Sequence, residues 1–459
     1  MPFNSFENYP MSWKPVIDKS QKSLYLQLAR QLEQDIIKSR LLPGTKLPPQ
    51  RELADYLDIN VSTVSKAFRV CELKGLLSST IGRGTFVSYD ALANNRLLSE
   101  GNTGKLIEMG ATVPEKSSNE LLLELLKTML SEHDAGKWFS YNRPADTIWQ
   151  KDAAVRFLSR CGLAVSHENI LFSNGGQNGL TAILAGLFHY GDRIGVDAHT
   201  YSGIKTSAAA LGIQLIPIKQ HNDEMDLDSL INACKNSGMK GIYVIPAHHN
   251  PTAKTMSLQK RKDIARIANE YDLIVIEDGT YQFMAETITP VASLIPHRTI
   301  YVASLSKSVA PGLRLAYIAS PPLYRSEISE ALYTLNVSVS PLMTELSSRV
   351  IVSGLLDDII QRHRTNTKER NLIVNRYLKQ LNCKGDLCCI FRWLKLPGNI
   401  SGLEFERNAR LAGVQVYAAQ RFAVGTTAPE HAVRLAVCAP ETITELETGL
   451  RILKELLEQ

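Results

Sequence analysis

The sequence predicts an α/β protein in two parts, a small helical N-terminal domain closed by a hairpin and a much larger body on a mostly parallel sheet. Three observations predict this. The 459 residues, 44% of them hydrophobic, exceed what a single core takes up at ~100–200 residues per domain. The excess of positive charge sits at one end: residues 1–89 hold 12 Lys and Arg against 8 Asp and Glu, whereas the remainder holds 39 against 38. From about residue 170 onward, short apolar runs alternate with helical stretches, as in strands joined by crossover helices.

Composition narrows the classes further. A basic appendage on a near-neutral body is the asymmetry of a nucleic-acid binder. No apolar run approaches the ~18 residues of a membrane span, and the start, MPFNSFENYPM, lacks the basic and apolar regions of a signal peptide. A cytoplasmic protein without a membrane partner is expected. Seven scattered cysteines do not make a disulfide framework. Cys383, Cys388 and Cys389 cluster without a CxxC pair or a nearby histidine pattern, so no metal site is expected.

The N-terminal elements follow in order. Over residues 24–36, Leu24, Leu28, Leu32 and Ile36 recur at helical spacing, in a helix that ends before Pro43-Gly44. A second short helix follows Pro48-Pro49 and buries Leu53, Ala54 and Leu57. Asp58-Ile59-Asn60 makes a turn, with Asn60 as N-cap of a third helix reaching about Lys74. On it Val64, Ala67, Phe68 and Cys71 pack inward, and Ser62, Ser65, Lys66 and Arg69 point away. Residues 76–80 and 85–88 form a hairpin with the basic tip Ile81-Gly82-Arg83-Gly84.

This is the layout of a winged helix-turn-helix. Small polar side chains on the third helix can approach base edges, Arg can bind guanine bidentately, and a basic wing can reach the backbone. The pattern alone also fits a small solvated helical domain. Residues 24–87 resemble the DNA-binding domain of the GntR family of bacterial regulators, whose motifs PGxKLPxxRELA, NxSTVxxA and GxGTFV stand here in order. The resemblance implies that Arg51, Asn60, Ser62 and the wing residues Gly82 and Arg83 contact operator DNA; Lys66 joins them from its helix face.

Residues 89–105, rich in Asn, Ser and Gly, read as a linker between a domain over 1–88 and a body over 106–459, with a small subdomain from about 345. In the body, runs at 170–172, 193–196, 242–245, 273–276 and 300–303 read as strands, and 179–188 and 258–270 as helices. A ligand site belongs beyond the carboxyl ends of such strands. There stand Ser173-Asn174-Gly175-Gly176-Gln177, opening a helix whose amides can hold an anion; Glu277-Asp278; and Ser304-Leu305-Ser306-Lys307, with Arg314 following in PGLRLAY. Each alone has a plain reading as a turn, a capping carboxylate or a solvated lysine. Together they fit an aldehyde cofactor with a pyridine ring and a phosphate tail, which needs a lysine amine, an acid facing the ring nitrogen, and an anion cradle.

The body resembles a fold-type I pyridoxal-phosphate aminotransferase. That resemblance implies Lys307 as the Schiff-base lysine, Asp278 at the ring nitrogen, and Asn250 (in HHNPT) and Tyr281 at the ring hydroxyl. Ser304, Arg314, Gly175, Gly176 and Gln177 would hold the phosphate. Tyr201 (in DAHTYSG) would stack on the ring, Tyr141 (in YNRP) would reach the cofactor of a neighbouring subunit, and Arg434 (in VRLAV) would clamp a substrate or effector carboxylate. Tyr201 as a core tyrosine and Arg434 as a structural arginine stay open as alternatives. Gly176 stands where these enzymes place Ser or Ala, Ala253 ends an NPTG-like motif, and Asp146 replaces a glycine, which puts efficient turnover in doubt.

A GntR-type winged helix joined to such a body is the layout of the MocR subfamily. The resemblance implies a homodimeric transcription regulator that binds pyridoxal 5′-phosphate and senses an amino acid, an amine or the cofactor itself through the Lys307 Schiff base. Transamination would be weak at most, and each winged helix would rest on the partner's body. The alternative is an active aminotransferase that carries a DNA-binding domain.

Overall fold

The computed structural model describes residues 11–20, 23–38, 40–80, 84–89, 106–141, 148–221, 224–285, 289–398 and 400–458. Gly82 and Arg83 lie outside the described residues, as does most of the expected linker.

The N-terminal part is three helices, α1 (Leu24–Ile37), α2 (Gln50–Leu57) and α3 (Val61–Leu73), with the hairpin strands β1 (Leu77–Thr80) and β2 (Gly84–Val87). The hairpin register pairs Leu77 with Val87 and Thr80 with Gly84. Apolar periodicity produces a core of its own, in which Leu28, Leu32 and Ile36 meet Leu53, Val64, Phe68 and Val87. Trp13, ahead of the first helix, joins this core, and its indole N–H donates to Asp35 at 3.0 Å.

The body centres on seven strands: β3 (Ile170–Ser173), β4 (Arg193–Asp197), β5 (Gln214–Ile218), β6 (Gly241–Val244), β7 (Ile274–Asp278), β8 (Thr299–Ser304) and β9 (Ala316–Ala319). Their order across the sheet is β3-β9-β8-β7-β6-β4-β5. All pairings are parallel except those of β9, which runs antiparallel to both β8 and β3. The five expected strands are present. β5 and β9 had no counterpart in the reading of the sequence: Pro217 interrupts the β5 pattern, and it is tolerated because β5 is an edge strand. A four-stranded antiparallel sheet near the C-terminus contains β10 (Phe391–Lys395) and β11 (Ala432–Ala436), paired through Trp393 and Arg434. Among the described residues no helix is long and apolar enough to cross a membrane.

Among the described residues, hydrogen bonds of Ser88 and Tyr89 join the N-terminal part to the body, the Ser88 hydroxyl donating to the Gly425 carbonyl at 3.5 Å. The Tyr89 N–H donates to the Gly425 carbonyl at 2.9 Å, and Lys205 Nζ donates to the Tyr89 carbonyl at 3.4 Å.

Candidate functional site

The carboxyl ends of the parallel strands define one edge of the large sheet, and the β9 register brings the anion-binding residues together there. Ala316, the first residue of β9, lies opposite both Ser304 and Ser173. Arg314, two residues earlier, is thereby set between the end of β8 and the turn after β3. Helix α4 (Gly176–Leu187) starts in that turn, with Gly175 as its N-cap at φ +86°. A Cβ on Gly175 would come within 2.6 Å of Arg314 Nη2, and one on Gly176 would meet the Ser304 Cβ at 3.3 Å. The glycines therefore leave space between an arginine, a serine and the amides of a helix N-terminus, which is what a phosphate group occupies. The Gln177 side chain turns elsewhere: its Nε2 donates to the Gly203 carbonyl at 2.9 Å and to Ser207 at 2.8 Å, leaving only its backbone for an anion.

At the end of β7, strand alternation separates two carboxylates. Glu277 accepts the amides of Val291 and Ala292 at 3.0 and 2.7 Å, and burial pushes its carboxyl up to about 7. It caps a helix. Asp278 points to the other side, where it accepts the Tyr243 hydroxyl at 2.8 Å and the Thr280 amide at 3.0 Å. Burial raises its pKa while these two bonds oppose the shift. Tyr243, on β6, had no signal in the sequence beyond a strand tyrosine.

Lys307 lies on the one-turn helix α6 (Leu305–Ser308) that follows β8, capped by the Ser304 hydroxyl. Its amine donates to the Thr112 carbonyl, and desolvation, with Arg434 and Arg314 nearby, lowers it to about 8. An amine so shifted carries a substantial neutral fraction near pH 8, the form that attacks a carbonyl.

Arg434 is 1% exposed. Its Nη1 donates to Asn250 Oδ1 at 2.6 Å and its Nη2 to the Gly110 carbonyl at 2.7 Å, while Nε finds no partner among the described residues. The guanidinium lies 4.7 Å from the Phe422 ring centre, 5.5 Å from Tyr417 and 5.8 Å from Phe391. Burial lowers this group to about 10. Asn250 Nδ2 also reaches the Tyr281 hydroxyl at 3.5 Å. The Gly110 to Thr112 stretch thus touches both Lys307 and Arg434, a contact across more than 190 residues that no local pattern announces.

Tyr201 is the N-cap of helix α5 (Ser202–Leu211); its hydroxyl is pushed up to about 12 by burial, with Asp278, Arg434 and Arg314 close enough to act on it. Lys307, Asp278, Asn250, Tyr281, Ser304, Arg314, Gly175, Gly176, Tyr201 and Arg434 therefore surround one volume. Tyr141 does not join them within the chain: it is 80% exposed, near Phe139 at 77%. The donor set fits pyridoxal phosphate in kind: an anion cradle of glycines and Arg314, a buried carboxylate in Asp278, and a lysine amine lowered to about 8.

On the N-terminal part, Arg51, Ser62, Lys66 and Arg69 are exposed, and Val64, Ala67, Phe68 and Cys71 are buried as the periodicity demands. Ser65 differs from expectation: it is half-buried, its hydroxyl donating to Gln50 at 2.6 Å and tying α3 to α2. Asn60 accepts the Ser62 amide at 2.8 Å, so its carbonyl oxygen serves as the helix cap.

The bacterial regulatory proteins of the gntR family match residues 24–87, and aminotransferase class I and II matches residues 105–449. Over 100% of its length the chain is 58% identical to the HTH-type transcriptional regulator YdeF of Bacillus subtilis, spanning 99% of that protein. To the HTH-type transcriptional regulator NorG of Staphylococcus aureus it is 23% identical, over 69% of this chain and 77% of the relative. An archaeal alanine:glyoxylate aminotransferase shares the fold with a TM-score of 0.72 at 24% identity, over 78% of this chain and 91% of its own. The kynurenine aminotransferase of Pyrococcus horikoshii does so with a TM-score of 0.71 at 22% identity, over 78% and 91%. The chain belongs to the GntR family of HTH-type transcriptional regulators in its MocR-like form, a GntR helix-turn-helix followed by an aminotransferase class I and II domain.

Proposed function

We propose that this regulator binds pyridoxal 5′-phosphate at Lys307 and answers to an amino-compound effector, whose occupancy of the body alters the affinity of the winged helix for operator DNA. The observation that carries the reading is the convergence of Lys307, Asp278, Arg314 and Arg434 on one volume in a chain that also holds a GntR domain. When bound, the cofactor supplies an aldehyde that condenses with amines and a ring that withdraws electrons.

The chain's own groups then have distinct tasks. Arg314, Ser304 and the amides after Gly175 hold the phosphate; Asp278, steadied by Tyr243, keeps a proton on the ring nitrogen; Asn250 and Tyr281 orient the ring hydroxyl. Lys307 would hold the cofactor through its amine, and Arg434 would take the effector's carboxylate. A ligand changes DNA affinity only by favouring one conformation over another. Arg51, Asn60, Ser62, Lys66, Gly82 and Arg83 are the proposed DNA-facing residues. Operator DNA as the partner sets the cytoplasm as the compartment.

We further infer a homodimer, with Tyr141 directed to the neighbouring subunit; exposed Phe139, Ile148 and Trp149 supply apolar surface around it. Sedimentation as a monomer with cofactor fully bound would count against it. The test of the main reading is Lys307→Ala, which is expected to abolish effector-dependent DNA binding; unchanged dependence sinks it. A second reading, an active aminotransferase, is favoured by the intact Lys307, Asp278 and Arg434 set. Many turnovers per site with a 2-oxo acid acceptor would establish it, and a single half-reaction would favour the sensor.

A further inference from the structure

Helix α5 joins three parts of the molecule. Its N-cap, Tyr201, faces the pocket of Lys307 and Arg434, and its first turns are fastened to the anion-binding helix α4. Gln177 bridges to Gly203 and Ser207, and Thr181 meets the Ser207 hydroxyl at 2.7 Å. Four residues after Tyr201, on the same helix face, stands Lys205, 2% exposed. Its ammonium donates to the carbonyls of Ala423, Arg421 at 3.3 Å and Tyr89 at 3.4 Å. The first two carbonyls flank Phe422, the ring that lies 4.7 Å from the Arg434 guanidinium. The third belongs to the chain as it leaves the winged helix.

Beside these bonds the junction holds those of the Ser88 hydroxyl and the Tyr89 N–H to the Gly425 carbonyl, at 3.5 and 2.9 Å. The winged helix has its own core, and between it and the body lies a cavity of about 330 Å³ whose walls include Arg69, Glu72 and Ser79 on one side and Lys205 and Ala208 on the other. A junction flanked by such a cleft relies on its directed bonds. One buried ammonium shared among three carbonyls is worth more than a neutral hydrogen bond, and its carbonyls are left short of a donor if it is removed.

We propose that Lys205 is a positioning residue that couples the pocket to the seating of the winged helix. A ligand that shifts Tyr201 or the Phe422 segment moves the ammonium relative to the Tyr89 carbonyl, because α5 and the 421–423 strap carry their displacement to the same nitrogen. The proposal rests on the reading of the pocket as a pyridoxal-phosphate site.

Hydrogen exchange by mass spectrometry on the full chain, with and without pyridoxal phosphate, tests it in wild type, Lys205→Met and Lys205→Arg. In wild type the cofactor is expected to slow exchange in 201–211, 421–425 and 76–89. Lys205→Met is expected to keep the slowing in 201–211 and lose it in 76–89, where exchange runs about tenfold faster. Lys205→Arg, which restores a charged donor, recovers part of it. Cofactor-dependent slowing of 76–89 in Lys205→Met equal to wild type overturns the proposal. If Lys205→Met fails to fold, Lys205→Gln, with one donor on a shorter stem, takes its place under the same two outcomes. If wild type shows neither a visible cofactor band nor slowing in 201–211, the cofactor reading has failed. The anchor is then judged on the free protein, where 76–89 must exchange faster in the variant than in wild type, and equality overturns it.

Discussion

Arg434 Nη1 donates to Asn250 Oδ1 at 2.6 Å, so the residue proposed to clamp the effector touches the residue proposed to orient the cofactor ring. A carboxylate arriving at Arg434 competes for a guanidinium that already holds Asn250 and Gly110. On the proposed reading, effector binding would be felt at the ring through Asn250.

The first prediction concerns that guanidinium. Arg434→Lys keeps a charge but not the planar fork, and Arg434→Leu loses both. Amino-acid affinity is expected to fall in both, by about 2–5 kcal/mol in the leucine variant, with the visible cofactor band retained. Absorbance titrations with a panel of L-amino acids measure this; unchanged affinities in both variants would assign Arg434 a structural role.

The Lys307 amine makes the cofactor-free protein sensitive to pH. It sits at about 8 when folded, against an ordinary value of ~10.4 in the unfolded chain. Between those values the unfolded chain holds the extra proton, so stability rises with pH across that window. Lys307→Met is expected to melt above wild type at neutral pH, with the gap closing toward pH ~10. Cofactor capture by wild type should speed up about tenfold per pH unit below 8 and level off above it. Calorimetry and stopped-flow absorbance read the two effects; a flat capture rate would show that the amine is already neutral.

The glycine cradle separates two substitutions. Gly175→Ala meets both a positive φ and Arg314 Nη2 at 2.6 Å, and is expected to cost about 1–3 kcal/mol and to weaken cofactor binding more than tenfold. Gly176→Ala comes no nearer than 3.3 Å to any neighbour, the Ser304 Cβ, and is expected to be milder. Equilibrium dialysis ranks them, and the reverse order would remove the cradle from consideration.

On the DNA side, Asn60 serves both as cap and as proposed contact. Asn60→Asp preserves the cap and adds a negative charge, whereas Asn60→Ala costs about 1 kcal/mol of helix stability. Wild-type melting with lost DNA affinity in the aspartate variant is the expected result. Arg51→Ala should lower specific affinity by ~1–3 kcal/mol, and Lys66→Ala should weaken binding to any sequence and flatten its salt dependence. Gel shifts on specific and random duplexes decide, equal losses on both for both variants refuting the distinction.

Much of the site was legible because cofactor chemistry concentrates in short motifs at strand ends. Lys307, Asp278 and Arg314 each announce themselves beside an apolar run, and helical periodicity exposed the inner face of α3. What stayed hidden is supplied at long range. Tyr243 braces Asp278 from the next strand, and Gly110 and Thr112 reach Arg434 and Lys307 from the start of the body. Phe391, Tyr417 and Phe422 surround a guanidinium only after the C-terminal sheet has formed. Such residues are ordinary core formers in their local sequence, and only the topology gives them a role.

Lys205 holds Tyr89, and Arg434 holds Gly110. The segment between the two parts of the molecule is therefore moored at each end close to the pocket, like a rope tied to two cleats on one deck. Doubling the length between the moorings adds only ~0.6 kcal/mol of closure cost, so an inserted Gly-Ser stretch at residues 90–105 should leave effector response intact, whereas loss of either mooring should not.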